Sequence, residues 1–351
     1  MFLANCKARM NPEDMHAHPE NLSDFKNNSC DIFIFNKTAK VLFPMFYLAI
    51  LIIGLMGNLL VLYIIFHNQL KVNSTRIYLV NLALSDTLFA LALPGRIVYN
   101  IREFDWPFGD FLCRINAVII YTNTYVGIGL MTCLSIDRYL AMVHPHHFTK
   151  LRSVGVVKGI CVLIWFVVFC QTAPMLFHNM VKNVNGKRLC MEYFGMDGHN
   201  NLPYLLLLAC AFSYGFPLVI IISCYVKINH KLHKAAQKNT MSGKYRQNRR
   251  ASGIIFSILM AFILCFSPYH INLMQFMIKK LCYQPSCEEL KNFKISLQVT
   301  LSIMNLNSTL DPVIYFFAVK SYKQKVMSLL KSHLSAPGIS LKTTSESVSN
   351  S

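Results

Sequence analysis

Acidic residues are scarce in this chain. It has 16 Asp and Glu against 34 Lys and Arg in 351 residues, and none lies between Gly198 and Cys287. Charge of any sign is thin: 14% of residues are charged and 54% hydrophobic, where soluble domains carry about 25% charged residues. Such a chain needs a solvent other than water. The net charge of +18 would suit nucleic acid, but the basic residues fall between long apolar runs, so no nucleic-acid partner is expected. No Lys lies between Ile295 and Val319, which excludes a retinal Schiff base in the last run. No Cys/His spacing fits a zinc site, so no metal centre is expected. No His, Asp, Glu or Cys constellation can be assembled at one depth, which argues against an enzyme. Residues 1–40 hold no apolar core of leader length, so the first long run is expected to act as an uncleaved anchor. No Cys follows Cys287, leaving the tail without a palmitoylation site.

The apolar runs are what remain. Crossing a ~30 Å hydrocarbon core takes about 20 helical residues. Seven runs qualify, at roughly 41–66, 76–102, 111–143, 156–178, 202–229, 249–278 and 292–318. They are too long and too continuous for barrel strands. Backbone in lipid must bond to itself, so the runs are helices. The fold class is an all-α membrane protein: a seven-transmembrane helix bundle followed by a short amphipathic eighth helix. The expected organisation is an N-terminal tail 1–40, a bundle 41–319, a membrane-surface helix 320–334 and a disordered tail 335–351. In the surface helix Leu329 and Leu330 would face lipid, with Lys323, Lys325 and Lys331 at the headgroups.

Lys and Arg in the loops set the orientation. The loop after the fifth run carries Lys227, Lys231, Lys234, Lys238, Lys244, Arg246, Arg249 and Arg250 and is therefore cytoplasmic. That places the N-terminus outside and the C-terminus inside, as expected at a plasma membrane. Sequons at Asn21, Asn27 and Asn36 agree, as glycosylation sites of an extracellular tail.

Charged residues inside the runs carry the next signal, because each costs about 2.5–3.5 kcal/mol to insert. Asp86 and Asp311 lie mid-run, with Asn58, Asn305 and Asn307 at similar depth. One reading is a hydrated cluster that holds a sodium ion and rearranges on activation. The other is a set of interhelical hydrogen bonds that only holds the bundle together. Prolines 94, 174, 217, 268 and 312 permit kinks, static or moving. Arg96, Tyr121, Tyr125 and Tyr269 lie toward the outer ends. Tyr121 and Tyr125, four apart, share a helix face. One cation and three phenols suit a mostly apolar ligand with a few hydroxyl or anionic groups. Helix packing with satisfied hydroxyls is the plainer account of the tyrosines. Arg96 is the one cation expected at pocket depth. Lys187, Arg188, Lys279 and Lys280 stand at the mouth, where a phosphate ligand would need them.

These landmarks occur in a recognisable order: Gly57-Asn58, Asn81 to Asp86, Cys113, Asp137-Arg138-Tyr139, Trp165, Pro217 with Tyr225, Phe262 with Pro268, and Asp311-Pro312-Val313-Ile314-Tyr315. Over about residues 40 to 330 the chain resembles the rhodopsin-like G-protein-coupled receptors. Phe266 before Ser267-Pro268, and Asp311 before Pro312, resemble the purinergic-like branch, whose members take nucleotides, lysophospholipids, leukotrienes and oxysterols. Within it the chain is most similar to the oxysterol receptors of immune cells, through stretches such as Ala92-Leu93-Pro94-x-Arg96-Ile97, Tyr121-x-Asn123-Thr124-Tyr125 and Pro268-Tyr269-His270.

The resemblance implies a receptor for an extracellular lipid, foremost an oxysterol, signalling through an inhibitory G protein to direct immune-cell migration. A nucleotide, lysophospholipid or leukotriene receptor is the alternative. Arrestin is a possible further partner. Arg96, Tyr121, Tyr125 and Tyr269 would contact the sterol. Arg138 would hold Asp137 at rest and meet the G protein when active, with Tyr139 beside them. Pro217, Ile128 and Phe262 would form a relay, and Tyr225 and Tyr315 would approach each other in the active state. Asp86, Asn58, Asn307 and Asp311 would hold the sodium ion, and no other cofactor is expected. Cys113 would pair with Cys190, and Cys30 with Cys287, with Cys282 as competitor for that second bridge.

Overall fold

The computed structural model describes residues 37–67, 72–184, 186–191, 202–237, 253–283, 285–318 and 322–328. The sequons at Asn21, Asn27 and Asn36, together with Cys30, Leu329, Leu330 and the tail from 335, lie outside these residues. Six stretches are long and apolar enough to cross a membrane: Ala39–His67, Ser74–Ile101, Gly109–Val143, Val154–Leu176, Pro203–Lys234 and Gly253–Cys282. They are called spans one to six here. The seventh run, called span seven, is two helices, Cys287–Asn305 and Asn307–Ala318, joined at Leu306. A continuous run over 292–318 is the sequence expectation, and the structure divides it. The hydroxyls of Ser308 and Thr309 donate to the carbonyls of Asn305 and Leu306, at 3.2 and 2.7 Å. Such local bonds compete with the helical N–H ladder. The start of span seven is fixed by a capping box, in which Ser286 and Glu289 satisfy each other's backbone N–H groups.

Prolines shape the other spans. A proline lacks the N–H that would bond the carbonyl four residues back. Before Pro217 and before Pro268 the helix widens into a π-helical turn, at Ala211–Gly215 and Phe262–Phe266. At Pro94 span two breaks over residues 90–92 and restarts at Leu93. At Pro312 the helix continues, and the carbonyl of Ser308, left without its helical donor, accepts from Asn58 Nδ2 at 2.8 Å.

Span three is the buried axis of the bundle, with Ala117, Ile120, Val126, Met131 and Ser135 wholly enclosed. Span four turns Val162, Leu163, Phe166 and Val167 outward, as a helix facing lipid does. Trp165 Nε1 donates to Asn81 Oδ1 at 3.1 Å and ties span four to span two.

One end of the bundle carries an antiparallel hairpin, Val181–Val184 with Lys187–Cys190, turning at Gly186 in the left-handed region. Cys190 is disulfide-bonded to Cys113 at the head of span three. Asp110 Oδ1 accepts from the backbone N–H groups of Met180 and Val181, each at 2.8 Å. Asp105 accepts from the Arg188 guanidinium and backbone, and Trp106 N–H donates to the Arg188 carbonyl at 2.8 Å. The hairpin is thus moored to span three and to the segment before it. Cys282 and Cys287 are both disulfide-bonded. They entered as alternatives for one bridge, and the structure oxidises both.

Candidate functional site

Three clusters of buried polar residues lie along the bundle. The middle one centres on Asp86. Asn123 Nδ2 donates to Asp86 Oδ1 at 2.9 Å and to Ser85 Oγ at 3.2 Å. Asp311, wholly buried in span seven, faces Asp86 closely enough for the carboxyls to interact. Asp86 Oδ2, both Asp311 oxygens, the Nδ2 atoms of Asn305 and Asn307, and the Tyr315 hydroxyl are buried without a hydrogen bond among the described residues. Two bare negative charges so close together in an apolar medium would be costly. The donor set therefore fits a small cation or a shared proton. Asn58 stands slightly apart: its Nδ2 bonds the carbonyls of Gly54 and Ser308, at 2.9 and 2.8 Å, linking span one to span seven.

The second cluster closes the end opposite the hairpin. Arg138 Nε donates to Asp137 Oδ2 at 3.1 Å, and its Nη2 reaches both that carboxylate and the Thr75 hydroxyl of span two. Asp137 is also held by Arg152 Nε at 3.0 Å. Tyr139 shares a hydrogen bond with His144 Nε2 at 3.2 Å, and Lys227 sits over its ring. Arg138 is thus folded back onto Asp137. Tyr225 packs beside Phe256, and Tyr315 packs edge-on to Tyr322. Ile128 and Phe262 lie in one buried core, with Phe262 stacked on Tyr214 at 5.7 Å. Pro217 is half-buried beside the π turn that holds Tyr214.

The third cluster lies toward the hairpin end. Arg96, Tyr121 and Tyr269 are buried, and Tyr125 is nearly so. The Arg96 guanidinium lies 5.9 Å above the Tyr99 ring, and its Nε has no hydrogen-bond partner among the described residues. Tyr125 and Tyr269 meet edge-on around one ring, His270, at 6.2 and 5.2 Å. Tyr214 stacks flat on the same ring at 4.4 Å and donates to Ser267 Oγ at 2.7 Å. The structure therefore gathers two of the expected tyrosines, Tyr125 and Tyr269, around a histidine that residue-type reasoning passed over.

Charge at this end also departs from expectation. Three of the four mouth cations pair with carboxylates: Lys187 with Glu103 at 3.4 Å, Arg188 with Asp105 at 3.2 Å, and Lys279 with Glu289 at 3.4 Å. Bonds from Arg188 hold the Asp105 carboxyl at about 2, below its ordinary value. Arg96 is not the one cation at depth. Lys294 is buried to 1% exposure, with Nζ 5.4 Å from the Phe104 ring. Phe104 itself has φ of 67°, a conformation that bulky residues rarely adopt. The signal for Lys294 was its position two residues inside the seventh run.

Apolar helices packed around buried Asp and Asn side chains, with Asp137 and Arg138 paired at one end, make a membrane-spanning bundle. The model of the 7 transmembrane receptor (rhodopsin family) matches residues 57–315, and the chain belongs to that family. It is a multi-pass membrane protein whose partner is a G protein. Among its relatives are G-protein coupled receptor 183 of Rattus norvegicus, 47% identical over 88% of this chain and 87% of that protein. G-protein coupled receptor 183-A of Danio rerio is 43% identical over 94% of this chain and 90% of that protein. The human uracil nucleotide/cysteinyl leukotriene receptor is 30% identical over 83% of this chain and 77% of that protein.

Proposed function

We propose that this chain is a plasma-membrane receptor for an extracellular oxysterol, signalling through an inhibitory G protein to direct immune-cell migration. The observation that carries the reading is the third cluster: phenols and an imidazole in an apolar surround, with one guanidinium, while three of the four mouth cations are taken up by carboxylates. A ring system bearing a few hydroxyls suits such walls, whereas a polyphosphate would have to break the mouth ion pairs first. The basic loop after span five supports an orientation with the N-terminus outside and the C-terminus in the cytoplasm. In this reading the ligand acts through its preference for the state in which Arg138 leaves Asp137. Arrestin binding to the Ser- and Thr-rich tail after phosphorylation belongs to the same reading. So does a sodium ion held by Asp86 and Asp311 at rest, with Asn307 near it.

A second reading, an anionic ligand such as a nucleotide, lysophospholipid or leukotriene, has Lys294 in its favour. G-protein activation in membranes expressing the chain separates the two. The panel is a cholesterol hydroxylated on ring B and on its side chain, a uracil nucleotide, a cysteinyl leukotriene and a lysophospholipid. A saturable response to the sterol alone, weakened by Arg96→Ala at unchanged surface expression, supports the first. Unchanged potency in Arg96→Ala removes that residue from the contact set, and a response to an anionic ligand alone supports the second.

A further inference from the structure

His270 is wholly buried in span six, and its two ring nitrogens are not equivalent. Nδ1 lies 2.7 Å from the backbone carbonyl of Phe266. A carbonyl oxygen only accepts, so Nδ1 carries the hydrogen. That bond arises where the π turn Phe262–Phe266 ends. A second proton on Nε2 would bury a cation with no anion beside it, which is strongly disfavoured. Nε2 is therefore a lone-pair acceptor. It is buried and has no hydrogen-bond partner among the described residues.

The ring cannot easily turn away to find one. Tyr214 lies flat against it at 4.4 Å with an interplanar angle of 6°. Tyr269 stands at right angles to it at 5.2 Å, and Tyr125 is edge-on at 6.2 Å. The Tyr214 hydroxyl, the nearest phenol by stacking, is committed to Ser267. Face and edges are thus fixed by aromatic contacts, and the Phe266 carbonyl fixes the tautomer.

We propose that His270 Nε2 is a ligand-binding acceptor that selects for a hydroxyl donor. The ligand must present an O–H at this depth; a ketone at the same carbon offers only a second acceptor and is rejected. This deepens the sterol reading and rests on it. A site built to bond a hydroxyl discriminates strongly against an analogue that cannot make the bond, because the buried partner is left bare.

The test uses the full receptor in membranes, with G-protein activation and surface amount read together. The probes are the doubly hydroxylated cholesterol and its analogues in which either secondary hydroxyl is oxidised to a ketone. Wild type should prefer the diol over one ketone by about tenfold or more. His270→Phe keeps the stacking ring and removes the acceptor, so it should lose about tenfold in diol potency and bring the two potencies together. His270→Gln, which restores an acceptor near Nε2, should recover part of the preference. Equal losses for diol and ketone in both variants would mean that His270 only packs, and would overturn the inference alone. A wild type indifferent to oxidation overturns it too. A wild type silent to every sterol overturns the sterol reading with it. Where His270→Phe does not reach the surface, wild type and His270→Gln decide the matter.

Discussion

Gly57 of span one and Pro312 of span seven pack so closely that a β-carbon on Gly57 would stand 2.6 Å from Pro312 Cγ and 3.1 Å from its Cβ. The next residue, Asn58, supplies the hydrogen bond that Pro312 denies to Ser308. The glycine lets the helices approach, and the asparagine repairs what the proline breaks. Gly57→Ala should therefore strain a rigid ring rather than a flexible chain end, at about 1–3 kcal/mol. Asn58→Ala should cost a similar amount, about 1–3 kcal/mol, by leaving a buried carbonyl bare. Both should lower the unfolding temperature of the purified receptor, and the double variant should lose less than the sum, because the sites share one contact. Full additivity would show that glycine and asparagine act independently.

The Arg138–Asp137 pair holds the end opposite the hairpin in its closed arrangement. Asp137→Asn removes a charge that two arginines share, Arg138 and Arg152. Basal nucleotide exchange on the G protein should rise about fivefold, the effect of withdrawing about 1 kcal/mol from the resting state. Arg152→Ala should give a smaller rise, since Arg138 remains paired. Basal exchange unchanged in Asp137→Asn would remove this ion pair from the resting state.

The hairpin's mooring has a defined pH window. Asp105, held at about 2 by Arg188, is depressed relative to the unfolded value of about 3.9. A depressed carboxylate contributes stability above its unfolded pKa and loses it as pH falls through its folded one. Amide protection of the hairpin, corrected for intrinsic exchange, should stay constant from neutral pH to about 5 and drop between about 4 and 2. In Asp105→Asn it should be low throughout. A drop near pH 6 would point to a histidine instead.

Removing the Cys113–Cys190 bridge should leave the hairpin attached through Asp105, Asp110, the Trp106–Arg188 backbone bond and the Lys187–Glu103 pair. Cys113→Ala is expected to cost about 2–5 kcal/mol, model-dependent. Agonist potency should fall together with the unfolding temperature. A variant that kept wild-type potency would show that the remaining polar contacts suffice to position the loop.

Much of this architecture was written in residue order. Apolar run length placed the spans to within a few residues, and prolines marked where spans two, five and six widen or break. Asp86 and Asp311 stood out because charge in lipid is expensive, and Asp137 and Arg138 through the ordered landmarks that resemble a known family. Run length could not foretell the break at Leu306, which depends on two hydroxyls turning back on their own backbone. His270 was passed over because a histidine beside tyrosines becomes informative only once its Nδ1 partner is known. Lys294 was missed for a related reason: a lysine near a helix end normally reaches water, and only the placement of Phe104 shows that this one does not. The pairing of Lys187, Arg188 and Lys279 with carboxylates likewise needed the fold, since their partners are distant in sequence or across a loop.

The π turns at Ala211–Gly215 and Phe262–Phe266 have one more consequence. Each holds one residue more than the α-helical turn it replaces, so the helix beyond it is rotated by about a third of a turn. The two halves of spans five and six are therefore out of rotational phase. Tyr214, Tyr269 and His270 can be aimed at one partner while Tyr225 and Phe256 are aimed at another. Removing a single residue from either turn would act as a phase adjustment, re-aiming one half of a span while the rest of the molecule keeps its register.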